Sequence, residues 1–205
     1  SAEEKTLTAY HEAGHAIIAL KVPGLDPIHK ATIIPRGRAL GMVMTLPESD
    51  KYSFSKEKAL ARLAMLFGGR EAELRKFGAE KVTSGATGDI QMATNLAGSM
   101  VMEWGMSEKL GRVRYRSNDQ EVFLGHSVTQ NKNVSEATAR EIDSEIKAII
   151  DHAYASSRSL LTEKIDQLHA LARALLEHET LSGDEIRTVL RGEKVVKVVV
   201  DEPAA

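Results

Sequence analysis

The chain has no cysteine. Disulfides, thiolate nucleophiles and cysteine metal ligands are therefore excluded, and any bound metal must be held by nitrogen and oxygen. Aromatic residues make up 4% of the sequence, too few for the stacking platforms that hold single-stranded nucleic acid. Neither sign of charge dominates. The formal net charge of -2 lacks the basic excess of a nucleic-acid binder. No stretch approaches the roughly 20 apolar residues that span a bilayer. The opening Ser1-Ala2-Glu3-Glu4-Lys5 is charged where a signal peptide would be apolar. A start at serine rather than methionine reads as an excised or processed piece. Internal repeats and low-complexity segments are also missing.

What is there is a chain long enough for one domain with a real core, patterned mainly for helix. Residues 3–21 carry Leu7, Tyr10, Gly14, Ile17 and Ile18 at helical spacing, and Pro23-Gly24 stops the run. Residues 28–34 and 39–46 read as strands joined by the turn signal Pro35-Arg36-Gly37-Arg38, hence a hairpin. A helix is expected over 56–76, with Gly68-Gly69 inside it as a site of close helix packing. Another is expected from about Asp89 to Trp104, ended by Gly105. Residues 111–134 read as loop, with a short strand at Val122-Phe123-Leu124. Three further helices are expected, at 135–157, at 162–178, and from the capping-box pattern Ser182-Gly183-Asp184-Glu185. The expected fold is mainly α: a catalytic core over about 1–130 with a small sheet, a C-terminal helical bundle over about 135–192, and a flexible tail over 193–205.

One motif is sharp. His11-Glu12-Ala13-Gly14-His15 lies within the first helix. At 100° per residue the two histidines sit about 40° apart and one turn along, so both imidazoles reach one ion. Glu12, next to His11 and three residues before His15, reaches a water on that ion rather than the ion itself. A metal that acidifies water and a base that takes its proton is a hydrolytic pairing. Gly14 between the histidines is a poor helix former, which predicts that something approaches that backbone closely.

A third ligand is needed, and without cysteine it must be His, Asp or Glu. His29 and His126 are weak candidates. His152, His169 and His178 lie on the C-terminal helices with no partner at ligand spacing. Asp89 follows the small-residue loop Thr83-Ser84-Gly85-Ala86-Thr87-Gly88 and opens a helix, which suits either a ligand or a first-turn residue favoured by the helix dipole. Glu71 and Glu73 compete with it.

These residues carry a resemblance. His11 to His15, Leu40-Gly41 through Leu46-Pro47-Glu48, Gly69-Arg70-Glu71-Ala72-Glu73, Thr83 to Ile90, Ala93-Thr94, Trp104 to Ser107 and Glu179-Thr180-Leu181 occur in order. Together they resemble the FtsH family of ATP-dependent zinc metalloproteases over about Lys5 to Leu190. The resemblance implies Zn2+ held by His11, His15 and Asp89, with Glu12 as general base and Glu73 orienting a histidine from behind. It implies an edge strand at Gly41, Met42, Val43 and Met44 that binds extended substrate. It also implies unfolded or membrane protein substrates, and a hexameric full-length protein. That protein would be anchored in a bacterial inner membrane, or an organelle membrane of bacterial descent, with the peptidase domain on the cytoplasmic side. The family's transmembrane segments and ATPase module have no counterpart here, since no Gly-x-x-x-x-Gly-Lys-Ser/Thr pattern occurs. The membrane is thus expected to be reached only through N-terminal segments outside this chain.

Two rival readings are weighed. A ring-forming assembly module without chemistry is disfavoured by the intact Glu12. A zinc deaminase is disfavoured because such enzymes pair their glutamate with cysteine ligands.

Overall fold

The computed structural model describes residues 1–47, 53–116 and 134–197. Six helices and a three-stranded antiparallel sheet are found among them: α1 Ala2–Lys21, β1 Ile28–Thr32, β2 Met42–Thr45, α2 Lys56–Phe77, α3 Thr87–Met102, α4 Glu136–Glu163, α5 Ile165–His178, β3 Thr180–Ser182 and α6 Gly183–Leu190. Short 3-10 turns at Ala79–Lys81 and Ser84–Ala86 connect α2 to α3. No helix among the described residues is long and apolar enough to cross a membrane.

Serines start most of the helices. Ser1 and Ser182 close full capping boxes with Glu4 and Glu185, and the side chains of Ser55 and Ser135 accept from the backbone N–H groups of Lys58 and Thr138, the third residues of α2 and α4. Each cap satisfies a donor that the first helical turn leaves without a partner. Glycines at positive φ end the runs, Gly24 at 94° after α1 and Gly78 at 85° after α2.

The expected hairpin forms, with β1 and β2 paired from Ile28↔Thr45 to Thr32↔Met42. β2 is shorter than the 39–46 run, because Ala39 is held instead in an isolated bridge to Arg36. The sheet also holds a strand that sequence reading missed. Thr180–Ser182 pairs with the other side of β1, giving the order β2-β1-β3 and leaving β2 at an edge. Three residues between two helices carry no periodicity to read. The break expected near 158–161 is absent too. Ser156, Ser157 and Ser159 resemble a linker, yet Ala153, Ser157 and Leu161 continue one buried stripe at four-residue spacing through α4. The strand expected at Val122–Leu124 lies outside the described residues.

The main core joins the two ends of the chain. Ile17 and Ile18 of α1 pack with Leu161 of α4, Leu168, Leu171 and Leu175 of α5, Leu181 of β3 and Ile186 of α6. A second cluster packs Leu63, Leu66 and Phe67 of α2 with Ala93 and Met100 of α3 and Ala153 of α4. Tyr10 ties α1 to α5 through a 2.7 Å hydrogen bond between its hydroxyl and His169 Nδ1.

α1 and α2 touch backbone to backbone. A Cβ on Gly14 would lie 2.1 Å from the Gly68 carbonyl oxygen, and one on Gly68 would lie 2.7 Å from that of Gly14. Alanine at Gly14 must therefore push the helices apart. Gly14→Ala should cost about 1–3 kcal/mol in urea unfolding, as overpacking does. Gly88→Ala, where a Cβ meets nothing within 4 Å, should be neutral or stabilising by about 0.5 kcal/mol.

Candidate metal and active site

α1 presents His11 and His15 toward α2, and the Gly14–Gly68 contact sets the depth at which they sit. Opposite His11 stands Gly69, where a Cβ would come within 2.4 Å of the ring. The Gly68-Gly69 pair thus does two jobs: Gly68 admits the helix, and Gly69 admits the imidazole. Sequence reading anticipated only the first.

Each ring is held from behind. His15 Nδ1 lies 2.7 Å from the carbonyl oxygen of Met65, which can only accept, so that nitrogen carries the proton. His11 Nδ1 lies 2.8 Å from Glu73 Oε1, a carboxylate acceptor, and carries a proton likewise. The two rings therefore turn their Nε2 atoms toward a common point, 3.0 Å from each other. Asp89, in the first turn of α3, brings Oδ2 to 3.1 Å from His11 Nε2 and 3.2 Å from His15 Nε2. Three electron-rich atoms so placed repel one another unless a proton or a cation lies among them. Ligands at 2.0–2.1 Å around a tetrahedral ion are separated by about 3.3 Å, close to the spacing here.

Sequence reasoning left three carboxylates in contention, and geometry separates them. Glu71 is fully buried on another face of α2, 3.1 Å from Arg75 and 4.0 Å from Arg158. Glu73 meets the outer nitrogen of His11, away from the triangle. Asp89 alone joins the two Nε2 atoms, as both a first-turn residue and a neighbour of the histidines. Among the described residues no other group of three such side chains converges on one point. His29 is exposed on β1, His152 is exposed on α4, His178 lies beside Glu177, and His126 is outside the described residues.

Glu73 also reaches the loop ahead of Asp89. Its Oε2 accepts from the backbone N–H of Thr83 at 3.0 Å and from the Thr83 hydroxyl at 3.2 Å. The Thr83 carbonyl in turn accepts from Arg70 Nη2 at 3.1 Å. The contact between Arg70 and Thr83 had no sequence signal, because one partner is a backbone atom thirteen residues away.

Charge and burial compete at every group. Burial pulls His11 down, but hydrogen bonds to Asp89 and Glu73 and the nearby charge of Glu12 outweigh it and raise its pKa to about 9. Burial pushes Asp89 up, yet His11 and His15 hold its carboxyl far below the usual range. For Glu73 burial again acts upward, and the bonds from His11 and Thr83 bring it below its ordinary value. Glu12 is the exception. Burial pushes it up and the charges of His15 and His11 only partly offset this, so it stays raised.

The site opens into a cleft of about 850 Å³. Its lining includes His11, Glu12, His15, Asp89 and Glu73, with Gly41, Met42, Val43 and Thr45 from the hairpin side; Met44 is not part of that lining. Gly41 is pressed against the site helix. A Cβ there would fall 2.8 Å from Thr8 Cγ2 and 2.9 Å from Glu12 Cγ. Leu40 and Met92 leave apolar surface exposed at this opening, 56% and 46% respectively.

The model of peptidase family M41 matches residues 1–189. The chain belongs to peptidase family M41. Its relatives include proteins named "ATP-dependent zinc metalloprotease FtsH" from Caulobacter vibrioides, 60% identical over 190 residues, and from Rickettsia bellii, 50% identical over 190 residues. A third, from Magnetococcus marinus, is 49% identical over 193 residues and carries the same name. These alignments take in 93%, 93% and 94% of this chain but 30%, 30% and 28% of the relatives. The chain thus spans under a third of the length of these curated relatives.

A cation entering the triangle must displace the proton that His11 Nε2 shares with Asp89. With His11 at about 9 in the metal-free protein, that nitrogen is protonated at pH 7. Titration calorimetry at pH 7, in buffers of different ionisation enthalpy, should show about one proton released per divalent cation bound. Apparent affinity should rise about tenfold per pH unit from 7 towards 9 and level off above. A pH-independent affinity over that interval would contradict the assignment.

Proposed function

We propose that the chain is a zinc endopeptidase unit in which His11, His15 and Asp89 hold the metal and Glu12 is the general base. The observation that carries this reading is the meeting of His11 Nε2, His15 Nε2 and Asp89 Oδ2 within 3.0–3.2 Å of one another, with both Nδ1 atoms already engaged. Two imidazoles and a carboxylate form a donor set that catalytic zinc uses while keeping a fourth position open. The relatives' names, each a zinc metalloprotease, support zinc as the ion.

Bound there, zinc supplies Lewis acidity, polarising a peptide carbonyl and easing the ionisation of water. Glu12 would accept a proton from the water as its oxygen bonds to the scissile carbon, and would then deliver that proton to the amine nitrogen, so that the C–N bond breaks after the C–O bond has formed. Its raised pKa suits both halves of that transfer. Glu73 keeps His11 in one tautomer and strengthens it as a donor. The β2 edge at Gly41, Met42, Val43 and Met44 adds an extended substrate as a further strand, a mode that reads backbone and tolerates many sequences.

Residues 1–192 act as one peptidase unit of a longer protein. The parent protein couples this unit to ATP hydrolysis, assembles as a homohexamer and takes unfolded or membrane proteins. Its anchor lies in segments preceding this chain, with the peptidase on the cytoplasmic side of a bacterial inner membrane or an organelle membrane of bacterial descent. The names of the relatives support the coupling to ATP, and their greater length leaves room for such segments.

Base and ligand separate on mutation. Glu12→Gln should keep zinc and lose roughly 10²–10⁴-fold in turnover of an unfolded protein. Asp89→Ala should lose zinc affinity and recover partly in excess zinc, which should not help Glu12→Gln. Glu73→Ala should weaken zinc binding by roughly 10–100-fold. Hydrolysis that survives a chelator, or equal zinc content in wild type and Asp89→Ala, would overturn the reading.

A further inference from the structure

The same cleft holds a cation that the chemistry above does not use. Arg62 lies on α2, half-buried, and lines the cleft with Met65, Leu66, Val43 and Met92. It forms no hydrogen bond or ion pair among the described residues, whereas Arg70 and Arg75 on the same helix are both engaged. The carboxylates that share the cleft are committed elsewhere or directed at the site. Glu4 binds the N-terminal ammonium at 2.8 Å, Glu73 binds His11 and Thr83, Asp89 joins the histidines, and Glu12 lies under Gly41. A half-buried guanidinium without a partner among the described residues has lost part of its hydration and gained nothing from them in return. A carboxylate is the group that its planar donors match.

Its place on the helix says where that carboxylate sits. Met65 holds His15 through its carbonyl, so the face carrying Met65 and Leu66 adjoins the reacting centre. Arg62 is three and four residues earlier, about one turn or 5.4 Å further along α2. An extended peptide advances about 3.3 Å per residue and turns alternate side chains to one face, so neighbours on that face are about 6.6 Å apart. A substrate strand that runs along α2 with one side chain over Met65 and Leu66 brings the side chain two residues away next to Arg62.

Building on the peptidase reading, we propose that Arg62 is a specificity-determining residue: it selects substrates carrying a carboxylate two residues from an apolar side chain seated on Met65 and Leu66. That carboxylate belongs to an Asp or Glu side chain within the peptide, or is the terminal carboxylate of a chain that ends there. The selection is electrostatic and steric, and it involves no bond making.

Binding tests this without depending on turnover. Fluorescence anisotropy with the Glu12→Gln chain would compare labelled, C-terminally amidated peptides that hold a Leu and, two residues away on either side, Glu or Gln. A third peptide ends in a free carboxylate at that position. The Glu peptide should bind about 5–10-fold more tightly than the Gln peptide, less so at high salt. The gap should close to within twofold in Arg62→Gln, persist in part in Arg62→Lys and reverse in favour of a Lys peptide in Arg62→Glu. Arg36→Gln, at an exposed cation of the hairpin outside the cleft lining, should leave it intact. Preference for the free-carboxylate peptide over all amidated ones, lost in Arg62→Gln, identifies the chain terminus as the source. Equal binding of the Glu, Gln and free-carboxylate peptides, or a preference untouched by Arg62→Gln in a protein with normal circular dichroism, overturns the proposal. Chelator-sensitive hydrolysis by the wild-type chain, measured alongside, bears only on the peptidase reading, so the two fail separately.

Discussion

The backbone contact between Gly14 and Gly68 is the constraint on which the site depends. Two helices can approach this closely only where neither carries a side chain, and here the crossing falls between the two histidines of α1. Once it is made, the rest of the facing surface has little freedom. His15 comes against the Met65 carbonyl, His11 comes against Gly69, and Glu73, one turn beyond Gly69, meets the outer nitrogen of His11. Helices a residue's width further apart would leave the two Nδ1 protons without partners and the rings free to turn.

The third member of the triangle arrives by another route. Asp89 belongs to α3, and the loop before it is fastened at Thr83 by Glu73 and Arg70, both from α2. Glu73 therefore serves two ends of the site with its two oxygens, one on the first histidine and one on the segment that leads to the aspartate. The carboxylate, its ring and the loop share one small buried volume, so a change in any of them is felt by the other two. This arrangement also accounts for the direction in which each carboxylate of the site is shifted. Hydrogen bonds from the imidazoles and from Thr83 lower Asp89 and Glu73, while Glu12, whose carboxylate is not hydrogen-bonded among the described residues, is left to the effect of burial.

The C-terminal third works at a distance. α5 packs on α1 and is tied to it through Tyr10 and His169, and β3 completes the sheet whose opposite edge, β2, borders the cleft. Residues after α6 also touch this scaffold, since Lys197 reaches the Thr180 carbonyl at 2.7 Å and Glu185 at 2.8 Å. The last elements of the chain thus brace the first helix, which carries the motif, and the strand beside it.

Much of this was legible in the linear sequence because it is local. The periodicity of α1 and α2, the capping box at Ser182, the Pro23-Gly24 stop and the one-turn spacing of His11 and His15 depend on residues within a few positions of each other. So does the placing of Glu12, which reads directly from helix geometry. Other features depend on contacts between distant residues, and no local pattern records them. β3 is too short to show an alternation and exists only because β1 offers it a partner. Ser157 looks like a break until Leu161 and the core beneath it are present. Choosing among Asp89, Glu71 and Glu73 required knowing which face of α2 meets α1 and where the loop after it is tied. Three carboxylates of similar chemistry are told apart by a few ångströms, and only packing supplies those. Sequence alone determined which atoms are able to bind a metal and move a proton; tertiary structure decided which of them meet, because that depends on how closely two glycines let two helices approach.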